Sequence, residues 1–126
     1  MPLTNTGRNL IAARLVGATM PAIDATTGYL GVGDSATAFV NTQTDLVAAA
    51  NKFRKILDGA PVLATNLFTC ISTFASGDAN FAWNEFGLFN AAAAGTMFSR
   101  KVSAQGTKTI GQVWELTYAQ TVVNGD

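Results

Sequence analysis

The side chain that most limits the chemistry open to this chain is one it lacks. Among its 126 residues there is no histidine, the commonest general base and transition-metal ligand near neutral pH. Catalysis would have to rest on carboxylates, hydroxyls or the one cysteine, Cys70. Asp24, Asp34, Asp45, Asp58, Asp78 and Asp126 fall mostly in segments of turn composition or in the tail. There a short carboxylate caps nearby backbone N–H groups, so these residues read as turn and cap residues. Cys70 stands in Phe68-Thr69-Cys70-Ile71, an apolar setting that predicts a buried and unreactive thiol. No internal disulfide is possible, and neither metal nor cofactor is expected.

Two phosphate-binding patterns can be tested directly. Gly31-Val32-Gly33-Asp34-Ser35-Ala36 fits the permissive dinucleotide-binding string. A Thr- and Asn-rich loop follows where that motif needs a helix, and no acidic residue stands about 20 positions on. A phosphate-cradling loop needs Lys and then Ser or Thr after its last glycine, whereas Gly33 precedes Asp34 and Ser35. Glu85 is the one carboxylate inside an aromatic strand, residues 81–89, and its burial would demand a partner. Pairing Asn90 with Thr96 places Lys101 opposite Glu85, or Arg100 if a bulge intervenes. With no second catalytic group in view, this predicts a cross-strand ion pair that fixes register, not an acid with a raised pKa.

The remaining charges are sparse. Hydrophobic residues make up 48% of the chain and charged residues 13%, about half the charged share of an ordinary soluble domain. Eight basic and eight acidic residues cancel, so no net field draws the protein to nucleic acid or to an anionic membrane. Lys52, Arg54 and Lys55, with Arg100 and Lys101, are the only basic clusters, and strand alternation splits each between two faces. The large uncharged surface left over suits a subunit whose neighbours cover it. Arg8, Arg14, Lys52, Arg54, Lys55, Trp83, Trp114 and Tyr118 are the candidate interface residues. Trp83, Trp114 and Tyr118 could alternatively line a sugar-binding platform.

These residues need elements to position them. Capping residues at Thr4 to Gly7 precede Leu10, Ile11 and Leu15, which predicts a short amphipathic helix over about residues 6–16. Residues 29–33 read as a strand whose glycines allow close backbone approach, followed by a polar loop over residues 34–44. Thr42 and Asp45 form a weak capping box ahead of a helical turn or two over residues 46–50. Residues 52–57 then read as a strand, turning at Asp58-Gly59-Ala60-Pro61 into residues 62–74 as a long hairpin. Residues 81–90 and 96–102 predict a second hairpin, and residues 110–123 a last strand. Strands outnumber helices and never alternate with them. The expected fold is mainly β: one domain over residues 1–126, an antiparallel sandwich or flattened barrel with one short N-terminal helix. No stretch approaches the about 18 apolar residues that span a bilayer, and the start lacks the features of a secretory signal, so a soluble protein is expected.

Several stretches together resemble a family of small structural proteins of tailed bacteriophages. They are residues 4–10, Tyr29-Leu30-Gly31-Val32-Gly33-Asp34, Gln43-Thr44-Asp45-Leu46, Arg54-Lys55, residues 81–90, and Gly95-Thr96-Met97-Phe98-Ser99-Arg100-Lys101-Val102. The hairpin from Trp83 to Val102 is similar to the particle-proximal modules of tail-collar fibre proteins, although no shaft or receptor-binding segment is expected from these residues. The resemblance implies a non-enzymatic virion component made in the host cytoplasm. It implies a homo-oligomer, a trimer in the leading reading, that decorates and cements the capsid protein shell. The alternative is a tail, baseplate or fibre-attachment subunit contacting tail proteins.

Overall fold

A computed structural model describes residues 1–123. One helix, α1 (Asn5–Leu15), and seven strands follow one another: β1 (Tyr29–Gly33), β2 (Lys52–Ile56), β3 (Val62–Ala64), β4 (Leu67–Phe74), β5 (Glu85–Phe89), β6 (Met97–Val102) and β7 (Trp114–Thr121). They form two antiparallel sheets, one in the order β2-β1-β5-β6 and the other in the order β3-β4-β7. The fold is mainly β, with two sheets packed as a sandwich.

The core lies between the sheets because alternation sends Leu30, Val32, Phe86 and Leu88 inward from the first sheet. Cys70, Phe74 and Tyr118 meet them from the second. Cys70 is buried, and burial pushes its thiol up to about 11. Phe74, Trp83 and Trp114 stack edge to face, with Trp83 4.8 Å from Phe74 and 4.9 Å from Trp114. Helix α1 closes one end. Thr4 is its N-cap, accepting from the Gly7 N–H at 2.9 Å, and Gly7 lies directly against the backbone of Phe98.

Three sequence expectations need correction. Ile11 and Leu15 do not share a buried face with Leu10: Leu15 is 85% exposed, and the helix buries only Gly7 and Leu10. Close approach to β6 through Gly7 leaves room for a narrow contact stripe. Residues 46–50 are not helical, because the N–H groups of Val47 and Ala48 are claimed by the Glu85 carboxylate, as described below. The segment after Asp58 does not hairpin back onto β2. β2 pairs with β1, and β3 and β4 form their own hairpin at Thr65-Asn66, where Thr65 takes a left-handed φ of 59°.

Candidate functional site

The first sheet is buried on both faces along β1, β5 and most of β6, which is unusual for an antiparallel sheet, and only partly covered along its edge strand β2. On its outer face lie Lys52 and Arg54 of β2, Gly31 and Gly33 of β1, Glu85, Gly87 and Phe89 of β5, and Arg100 of β6. The loop over residues 34–51 is laid across this face. A Cβ at Gly33 would stand 2.4 Å from a Glu85 carboxylate oxygen, and one at Gly31 would stand 2.7 Å from the Phe89 ring and 3.2 Å from Leu46. The glycines of the apparent dinucleotide string therefore make room for a carboxylate, a ring and a loop of the same chain.

The loop is held by an ion pair. The Glu85 and Arg100 side chains are both fully buried, with Arg100 Nε donating to Glu85 Oε1 at 2.9 Å. Val47 N–H donates to Glu85 Oε1 and Ala48 N–H to Oε2, each at 2.8 Å. The remaining guanidinium N–H groups reach Thr37 O at 2.9 Å and Gln43 Oε1 at 3.2 Å. One buried carboxylate and one buried guanidinium thus satisfy each other and four points of the loop, which is the condition for such a pair to be tolerated.

Lys101 is not the partner of Glu85. The register starts as expected, with Phe89 opposite Met97 and the Asn90 N–H bonded to Thr96 O, but a bulge then places Leu88 opposite Ser99. Phe98 is the extra residue. It packs in the core while Ser99 also turns inward to bond the Tyr118 hydroxyl at 2.9 Å. This returns Arg100 to the face of Glu85, and Val102 stands opposite Glu85 while Lys101 points to solvent.

The basic strand β2 is likewise committed internally. Arg54 lies 3.6 Å over the Phe89 ring, donates to Ala91 O at 2.9 Å and Ala94 O at 3.0 Å, and pairs with Asp45 at 3.1 Å. It thereby closes the alanine loop within its own chain. Lys52 also pairs with Asp45, at 3.0 Å, and Lys55 with Asp78, at 2.8 Å. Burial pushes the Asp45 carboxyl up, but hydrogen bonds from Lys52, the Leu46 N–H and Arg54 outweigh it and hold it below the usual carboxylate range. Asp78 is lowered by Lys55 and by the Ala75 N–H. Arg8 and Arg14 are exposed on α1, bonded to Asn5 and to Met20 O.

Lys108 carries no sequence signal and was missed. It is fully buried, and its ammonium donates to Ala75 O and Asn80 Oδ1, each at 2.8 Å, fastening the segment before β7 to the turn after β4.

Trp83, Trp114 and Tyr118 are brought together along a cleft of about 690 Å³ between the two sheets. Leu30, Phe86 and Leu116 share its lining with Met1, and Lys101, Ser103, Gln105, Glu115 and Thr117 are its polar members. The three aromatic residues do not form a sugar platform. Trp83 and Tyr118 are each only 2% exposed, and the Tyr118 hydroxyl is taken up by Ser99 and Gln120. Burial raises the Tyr118 pKa. What the cleft offers is an open seam between the sheets beside β7, with buried core residues in its lining. Among the described residues no group of three or more Cys, Asp or Glu could hold a metal, and no helix is long and apolar enough to cross a membrane. Compared with family models, curated proteins and solved structures, the chain finds no match.

Proposed function

We propose that this protein is a non-catalytic structural subunit of a tailed-phage virion, a homo-oligomer, trimeric in the leading form, that decorates the capsid and cements its shell. The observation that carries this reading is where the charges go. Arg100 and Lys108 are buried, and Lys52, Arg54 and Lys55 are bound to acidic or carbonyl groups of the same chain. The surface retains Leu15, Val16, Leu63 and Ile110, each more than 70% exposed, with few free charges between them. Such a surface favours burial against other subunits, and its lack of a positive field gives nucleic acid nothing to bind.

A cement gains its effect by binding the assembled shell and not the free capsid protein, so many copies together shift the particle toward the intact state. A closed cyclic oligomer matches the local three-fold positions of an icosahedral shell. The hairpin of β5 and β6, with its similarity to collar-fibre modules, supports the second reading, a tail, baseplate or fibre-attachment subunit.

The two readings separate when the protein is deleted or stripped and the particles are heated. A cement predicts DNA release at a lower temperature from particles with normal tails. Heat-stable heads lacking tails or fibres would overturn the capsid reading in favour of the tail.

A further inference from the structure

We propose that the cleft between the sheets receives the β3–β4 hairpin of a second copy of this chain, so that the second sheet of one copy continues into that of the next. This rests on the homo-oligomer reading above and names its interface.

The order β3-β4-β7 leaves β3 and β7 as the two edges of that sheet. Among the described residues nothing pairs with the outer edge of β7. The strand is eight residues long and contains one charge, Glu115, with no proline, glycine or bulge. The devices that normally keep an edge strand from pairing are therefore missing. The opposite edge supplies a fitting partner. In β3, Val62 is 66% and Leu63 is 73% exposed, and residues 62–67 carry no charge.

Alternation fixes what each side chain would do. Leu63 stands opposite Phe68, whose ring packs on Phe98 and Tyr118 in the core, so Leu63 belongs to the inward face. A β3 strand laid beside β7 of another copy would therefore aim Leu63 into the seam, onto Leu116 and Trp114. Val62 would lie on the outer face, level with Thr117. The seam suits an uncharged segment, since apolar and aromatic side chains make up most of its lining.

A stable contact takes about 800 Å² from each partner, more than one hairpin tip provides. Edge-to-edge pairing, with the 62% exposed Val113 in the cleft lining, extends the same contact. Donor and acceptor are different surfaces, so the contact is head to tail and closes into a ring when the rotation permits.

The test uses the full chain in solution. Val62→Cys and Thr117→Cys, both on outward-facing positions, are prepared singly, mixed, and treated with a short bis-maleimide, while native mass spectrometry reports oligomeric state. The proposal expects cross-linking in the mixture and none within either variant alone. It also expects Leu63→Asp to weaken assembly by about 10-fold or more, with an unchanged melting temperature for the subunit. A wild-type oligomer that survives Leu63→Asp, or one in which Val62→Cys links only to itself, overturns this interface and leaves the homo-oligomer reading standing. A wild-type chain that stays monomeric at all concentrations overturns both.

Discussion

Replacing Arg100 by methionine is expected to destabilise the protein by about 3–5 kcal/mol, the range found when one member of a buried ion pair is removed. The size follows from what is left behind. Glu85, fully buried, would keep two backbone N–H donors and lose its only cation, while Thr37 O would lose its side-chain donor and Gln43 Oε1 would keep only the Val40 N–H. For a domain of this length the melting temperature should fall by roughly 10–20 °C. The fault should also appear locally, as faster amide exchange at Val47 and Ala48. Replacing both Glu85 and Arg100 by leucine removes the uncompensated charge but orphans those two N–H groups, so it should recover only part of the loss. A melting temperature within about 3 °C of wild type for Arg100→Met would show that the pair does not hold the loop.

Gly7→Ala is expected to be the most damaging one-carbon change in the chain. A Cβ there would stand 2.0 Å from the Phe98 carbonyl oxygen and 2.9 Å from its Cα, both rigid backbone atoms of β6. The helix must move off the strand. That shift pulls at the Thr4 N–H bond to Phe98 O and withdraws Leu10 from the core it shares with Leu30, Leu88 and Phe98. Overpacking of this kind costs about 1–3 kcal/mol and occasionally more. The control is Gly59→Ala, where a Cβ meets nothing within 4 Å, so a change within about 0.5 kcal/mol is expected by chemical denaturation. Equal effects at the two positions would contradict the close packing of α1 on β6.

The parts of the fold that were legible in the sequence are those set by local pattern. Tyr29 to Gly33 read as a strand with a closely approached backbone, and Glu85 read as a buried carboxylate needing a cation. Both hold. The alternatives held open for the partner, Lys101 or Arg100, differ by one bulge, and a bulge at Phe98 satisfies core packing that strand periodicity does not encode. Where the sequence misled, a distant residue decided. Leu46 to Ala50 has helical composition, but its N–H groups are used by a carboxylate 37 and 38 positions away. The turn that ends β3 depends on Thr65 adopting a left-handed backbone, a conformation that a β-branched residue seldom takes. Trp114 and Tyr118 share one strand face and could have lined a platform with Trp83, yet Trp83 packs between Phe74 and Trp114 and Tyr118 bonds across the core. Lys108 gave no sign at all, because its partners, Ala75 O and Asn80, come from a turn roughly thirty residues earlier.

The central claim, that this chain is a multicopy structural subunit of a virion shell, is tested most directly by counting it. Purified particles, resolved by quantitative gel or mass spectrometry against the major capsid protein, give the copy number. The cement reading predicts hundreds of copies per particle, in a fixed ratio to the capsid protein, retained through purification. A count of a few copies to a few tens, or absence of the chain from washed particles, would contradict it.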